Sequence, residues 1–295
     1  CARNVTAYLI GERFAELERH LGVKPRLALR LRRQLTAHGV EALLASIALA
    51  TLATLCFPAL HLIRLGVEAH VIGLAIFLAL IPASTLGVSM VHWILTSLLQ
   101  PRVLPKLDFS KGIAPDGTTL VAIPCLFGSA REVQDLVRQL ELHYLRNSDP
   151  ALSFALVSDW TDAAAETTPE DEEFLTRAQI GVELLNDKHQ SGERRPFFLL
   201  HRNRLWNASQ GVWMGWERKR GKLQELNLLL KGERGTGLRC IVGEQESLVG
   251  TRFVITLDAG TILPTGSAAE LIGTLAHPLN AAVFENGRVT SGYTV

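Results

Sequence analysis

The chain has 295 residues, enough for two units, and a formal net charge of +1, which gives no bulk electrostatic reason to expect a nucleic-acid partner. Its four cysteines (Cys1, Cys56, Cys125 and Cys240) are scattered with no CxxC pair, which argues against a disulfide framework or a zinc knuckle and fits a reducing compartment. Hydrophobic residues make up 47% of the chain but are concentrated before position 100, so the two parts must be read separately.

Residues 1–40 are charged and helical in pattern, with no signal peptide. Because the chain opens on Cys1 rather than Met and stops at Val295 just after a strand-like stretch, a longer protein is expected around it. Residues 41–100 read as a pair of membrane spans. Ala42 to Ile63 carries no formal charge, and Val71 to Leu99 is a second uncharged run containing Pro82 and Gly87. A helix of about 20 apolar residues crosses a bilayer core, where Pro and Gly are tolerated. His92 and Trp93 suit an interface. The alternative is a pair of buried helices in a large soluble core. Lys24, Arg26, Arg30, Arg32 and Arg33 precede the first span, and Arg102, Lys106 and Lys111 follow the second. Only Arg64, balanced by Glu68, lies between the spans. The positive-inside rule therefore puts both ends, and everything after Gln100, in the cytoplasm.

Pro101, Pro105 and Pro115 mark residues 101–117 as a linker. From 118 to 295 the texture is α/β. Strands are predicted at Thr118 to Ile123, Phe154 to Val157, Pro196 to Leu200 and Phe253 to Leu257, with helices at Glu132 to Tyr144, Glu170 to Asn186 and Arg220 to Leu230. Such alternation implies a mostly parallel sheet with right-handed crossovers. Ligands of open α/β sheets bind outside the carboxyl ends of the strands. Two predicted strands run into aspartates there, Asp159 and Asp258, and a carboxylate so placed can hold a divalent cation against a diphosphate. A plain turn cap is the alternative for either one alone. Between them lies GWERKRGKLQELNLLL, in which Arg218, Lys219, Arg220 and Lys222 cluster where a helix begins. Cations and free amides at a helix start suit a phosphate, whereas a charge run alone is ordinarily a solvated face.

These segments carry a resemblance. LDAGTILP is similar to the LDADT-LP segment of GT-A-type glycosyltransferases, and GKLQELN to their GK-x-x-x-LN element. PRVLPKLDFSKGI, LELHYLRN, FALVSDWTDA, GVWMGWERKRGKLQELN and GTLAHPLN, in that order, resemble the cyclic β-1,2-glucan synthases from about Ala42 to the last residue. The resemblance implies a multi-pass protein of the bacterial inner membrane, its GT-A-type domain facing the cytoplasm. It would transfer glucose from UDP-glucose, with inversion, to a growing β-1,2-glucan that is later cyclised. A glucan exporter is a further candidate partner. WERKRGKL and AHPLN favour this family over cellulose- or chitin-type synthases.

By the same resemblance, Asp159 would contact the uracil or ribose, Arg202, Arg204, Arg218, Arg220 and Lys222 would face the diphosphate, and Asp258 would bind Mg2+ or Mn2+ with the donor. The family pattern has an aspartate where this chain has Gly260, so metal binding is expected to be weakened, and an impaired sugar-nucleotide-binding homologue is the competing reading. The general base is expected downstream of residue 295, so residues 1–295 alone are not expected to turn over. His277 is expected to be structural.

Overall fold

A computed structural model describes residues 17–18, 20–22, 39–98, 103–233 and 235–292. The chain separates into two compact units, Cys1–Val103 and Leu104–Val295. Most of the predicted 1–40 segment, with Lys24, Arg26, Arg30, Arg32 and Arg33, lies outside the described residues, as do Leu99 and Arg102.

In the first unit, helix α1 (Gly39–Arg64) turns through four residues into helix α2 (Ala69–Leu98). Both are long and apolar enough to cross a membrane, with mean hydropathies of 2.1 and 2.3. Their burial fits lipid better than a soluble core. Ala50, Thr51, Leu55, Ala83 and Val91 are buried, while Leu49, Phe57, Phe77 and Ile81 point outward with most of their surface bare. A helix apolar all round with so little of it covered needs an apolar surrounding. The hydroxyls in these helices turn back on their own backbone, as Thr51 Oγ1 does to the Ile47 carbonyl at 2.8 Å and Thr54 Oγ1 to Ala50 at the same distance. No hydroxyl so engaged is left bare to hydrocarbon.

The second unit is built on a five-stranded sheet in the order β6-β3-β2-β1-β7. Its strands are β1 (Thr119–Phe127), β2 (Leu152–Trp160), β3 (Phe197–Arg202), β6 (Leu238–Val242) and β7 (Phe253–Thr256). All pairings are parallel except β3 with β6. The central strands are continuous apolar runs because both faces are covered. One face packs under α3 (Ala130–Arg146) and α4 (Asp171–His189), where Ile123, Phe154 and Leu156 meet Leu136, Leu140, Val182 and Leu185. The other packs under α5 (Arg218–Leu230), where Ala122, Ala155, Val157 and Leu200 meet Leu226 and Leu229. The predicted strands and helices are all present, several of them longer than their apolar kernels. Helix α3 gains a start at Ser129, whose hydroxyl accepts from the Glu132 amide at 3.2 Å.

Two features differ from expectation. The predicted 101–117 linker is, over its described part, packed into this unit: the Leu107 amide bonds Gly273 O at 3.0 Å, Asn280 Nδ2 bonds Pro105 O at 2.7 Å, and Ile113 is buried. Pro composition signalled irregular backbone there and nothing about docking. A hairpin, β4 (Leu205–Asn207) with β5 (Val212–Met214), stands outside the main sheet. Helix α6 (Ser267–Ala276) is followed by a second hairpin, β8 (Val283–Glu285) with β9 (Arg288–Ser291).

The topology opens a crevice. Strand β7 pairs with β1 only over Thr119 to Ala122, whereas β1 pairs with β2 through Phe127. The upper half of β1 thus lacks a neighbour on the β7 side, which is where Pro124, unable to donate to a ladder, is accommodated. Strand order reverses at β1, so the gap is the sheet's switch point.

Candidate functional site: a cationic crevice at the switch point

The crevice has a volume of about 600 Å3, within the range of small-molecule sites. Its walls are the end of β1 (Pro124 to Leu126), the end of β2 (Asp159 to Asp162), Gly215, the start of α5 (Arg218, Lys219, Lys222) and Ala259 beyond β7. Segments more than 130 residues apart in the chain converge there because every parallel strand delivers its carboxyl end to the same side.

Asp159 forms the floor and is almost fully buried. Arg202 holds it with two parallel bonds, Nε to Oδ1 and Nη2 to Oδ2, both 2.9 Å, and Lys222 Nζ lies 3.3 Å from Oδ2. In-register pairing of Asp159 with Arg202 across β2 and β3 sets up this fork. Arg202 is itself spent: Nη1 reaches Glu225 Oε1 at 3.1 Å and Nη2 the Arg218 carbonyl at 3.0 Å. Burial opposes its charge, yet the bonds to Asp159 and Glu225 outweigh it and raise its pKa. Burial pulls the Lys222 ammonium below the usual lysine value despite Asp159. Its other contact is the Cys125 carbonyl, at 2.6 Å. Burial also pushes the Cys125 thiol up to about 12, so it is no nucleophile.

Arg204 is equally committed. It pairs with Asp171 at 2.5 and 3.1 Å and donates to the carbonyls of Thr161 and Glu166. The pull of burial on Asp171 is overcome by Arg204 and Thr168, leaving its pKa lowered. Arg202 and Arg204, expected to face a diphosphate, therefore lie beneath and beside the crevice as buried ion-pair partners and do not line it. Arg220 points to a separate shallow surface with Leu223, Gln224 and Asn227. Arg218 and Lys222 do line the crevice, as does Lys219.

The turn that brings these cations in is constrained. Glu217 and Arg218 both adopt the left-handed conformation, with φ of 50° and 46°. For side-chain-bearing residues this costs about 1–3 kcal/mol each and recurs at functional sites. Gly215 permits it: a Cβ there would sit 2.6 Å from Asp159 Oδ2 and 2.9 Å from Arg202 Nη2. At Gly221 a Cβ would fall 2.1 Å from the Trp216 carbonyl. These two glycines carry a constraint that the sequence reading missed, although a Gly at each end of WERKR was its visible trace.

Asp258 is the opposite of Asp159. Its carboxylate is exposed at the rim and ion-paired with Lys219. The segment after it makes a tight turn, Thr261 N bonding Asp258 O at 2.8 Å. Gly260 has open space around it and no left-handed φ. Among the described residues, no group of three or more His, Cys, Asp or Glu forms a ready-made metal cage. His277 lies elsewhere, its Nδ1 accepting from the Leu279 amide at 3.2 Å to start a short 3-10 turn, Pro278–Asn280.

No family model matches the chain. It is 35% identical over 294 residues to the cyclic beta-(1,2)-glucan synthase NdvB of Rhizobium meliloti (strain 1021). The resemblance carried by the motifs is thereby shown. The match covers 99% of this chain and 10% of that protein, so the chain spans about a tenth of the length of the curated relative.

Proposed function

We propose that this chain is the donor-binding part of a glucosyltransferase that moves glucose from UDP-glucose, with inversion, onto a growing β-1,2-glucan. The similarity to a cyclic β-(1,2)-glucan synthase along nearly the whole chain carries this reading. The crevice supports it, since its position, size and three lining cations suit a nucleoside diphosphate. The two apolar helices support a membrane protein, and the basic residues that flank the pair, with only Arg64 between the spans, support placing the α/β unit on the cytoplasmic side of the bacterial inner membrane.

In this reading Asp159 lies where the nucleoside would sit, and its second task is to hold Lys222 upright beneath the diphosphate. Lys219 exchanges Asp258 for a phosphate oxygen when donor enters, and Arg218 closes the outer side. Asp258 offers one exposed hard oxygen ligand at the rim. That fits Mg2+ or Mn2+ when the donor's phosphates complete the shell, because such ions commonly take one or two carboxylates plus phosphate. The ion would neutralise charge on the departing UDP.

Gly260 favours a second reading, a sugar-nucleotide-binding homologue with impaired turnover, because the second carboxylate of the family pattern is missing. Calorimetric titration of the full-length protein with UDP-glucose, with and without Mn2+, tests both. Metal-assisted binding accompanied by glucose transfer is expected. Binding without transfer that Gly260→Asp restores would establish the impaired homologue, and no binding by either form would end the donor reading.

A further inference from the structure

The β4–β5 hairpin contributes nothing to the donor crevice, yet it builds a groove of its own. That groove has a volume of about 590 Å3 and is walled by Trp206, Asn207 and Gln210 of the hairpin and by Trp216, Glu217 and Arg218 of the turn before α5. Trp206 and Trp216 expose 53% and 44% of their surface. Two tryptophans left bare on the wall of one groove suit a binding surface, each offering a flat apolar face and an N–H donor. Trp206 is not a loose side chain. It rests on Trp213, ring centroids 5.8 Å apart, and Trp213 is tied by paired backbone bonds of 2.9 Å to Ala163 just beyond β2.

The polar lining says what kind of ligand fits. Glu217 has no hydrogen-bond or ion-pair partner for its carboxylate among the described residues, and neither indole N–H of Trp206 or Trp216 is engaged there. The single cation of the wall, Arg218, already binds Asp162 at 2.7 Å and Gln210 Oε1 at 3.3 Å. A polyanion would meet an unpaired carboxylate, and the wall's one cation is shared with Asp162 and with the donor crevice. A pyranose chain presents flat C–H faces, which stack on indole rings, edged by hydroxyls that donate to a carboxylate and accept from indole N–H groups. Location adds to chemistry, because Arg218 walls both the groove and the donor crevice, making the two neighbours.

We propose that this groove binds the neutral glucan chain next to the donor, with Trp206 and Trp216 as stacking platforms and Glu217 as hydroxyl acceptor. The identity of the sugar as glucan rests on the glucosyltransferase reading above; the groove's preference for uncharged sugar does not.

The test is calorimetry on the full-length protein, titrated separately with a linear β-1,2-glucan oligosaccharide, with UDP-glucose and with a single-stranded oligonucleotide. Wild type, Trp206→Ala and Trp206→Phe are compared. The alanine variant is expected to bind the oligosaccharide about tenfold more weakly, and the phenylalanine variant, which keeps a ring, within about threefold of wild type. UDP-glucose affinity should be equal in all three, which also shows that each is folded. Oligosaccharide binding that is absent in wild type or unchanged in Trp206→Ala overturns the proposal, as does Trp206-dependent oligonucleotide binding. Trp206-dependent oligosaccharide binding without UDP-glucose binding would sustain the groove and defeat the donor reading instead.

Discussion

Asp159 and Asp258 stand at equivalent places, each where a parallel strand runs out at the mouth of the same crevice, and they have opposite surroundings. Side-chain exposure is 1% for Asp159 and 70% for Asp258. Asp159 sits at the end of a strand flanked on both sides and is gripped by Arg202 and Lys222. Asp258 follows an edge strand of four residues and is met by one exposed lysine. A buried carboxylate must be paired or the fold suffers, whereas a surface pair is worth little and exchanges readily. Position in the sheet thus makes Asp159 a buried anchor and leaves Asp258 exposed, with a partner it can exchange.

The strongest way to break this contrast is to remove the anchor. Asp159→Ala leaves Arg202 and Lys222 buried without their shared counter-ion and is expected to cost about 3–5 kcal/mol in chemical denaturation. Asp258→Ala should fall within about 1 kcal/mol of the parent. Equal losses for the two would erase the distinction. Next in size is Gly215→Ala, whose methyl group would press on the Asp159 carboxylate and the Arg202 guanidinium. Overpacking of this kind costs about 1–3 kcal/mol, and it should also weaken UDP-glucose binding by displacing the turn that carries Arg218 and Lys219.

A pH series sharpens the same point for the layer beneath. His201 is fully buried on β3, its Nδ1 2.9 Å from Ser158 Oγ and its ring stacked on Phe127. Burial, reinforced by Arg239, Lys222 and Arg204, pulls its pKa down to about 3. The unfolded chain takes up this proton near the ordinary histidine value and the folded one does not. Stability should therefore fall as pH drops from about 6.5 toward 4, by about 1.4 kcal/mol per unit from this residue. His143, lowered by burial, adds to the slope. In urea denaturation at several pH values, His201→Gln should start less stable but show a visibly flatter acid limb. An unchanged limb would remove His201 from the account.

Much of this was legible in the sequence. Continuous apolar runs announced buried parallel strands, and their regular alternation with amphipathic stretches announced the crossovers, so the carboxyl ends of the strands could be marked as the side where a ligand binds. Arg202 and Arg204 were misplaced because a basic residue near a strand end looks the same whether it faces a ligand or a neighbouring carboxylate. Only the in-register pairing of β2 with β3, and the packing of Asp171 beside Arg204, decide which. The β4–β5 hairpin escaped notice because its strands have three residues each, too few for a period to show. The close approach at Gly215 depends on a contact across 56 residues of sequence, which no local pattern encodes.

The smallest expected change in stability belongs to Gly260→Asp, and it bears most directly on the exposed side of the contrast. Nothing lies within 4 Å of a Cβ at this position, and the backbone is not left-handed, so the substitution should fold within about 0.5 kcal/mol of the parent. Its effect should appear only when a cation is present. A second carboxylate two residues beyond Asp258 adds a hard oxygen ligand at the rim and should tighten UDP-glucose binding about tenfold in Mn2+ while leaving it unchanged in chelator. Tightening in both conditions would trace the gain to something other than a metal. Weaker binding in both would mean that Lys219 had been drawn from the diphosphate to the new carboxylate, and that the cations of the turn, with no divalent ion, carry the donor's charge.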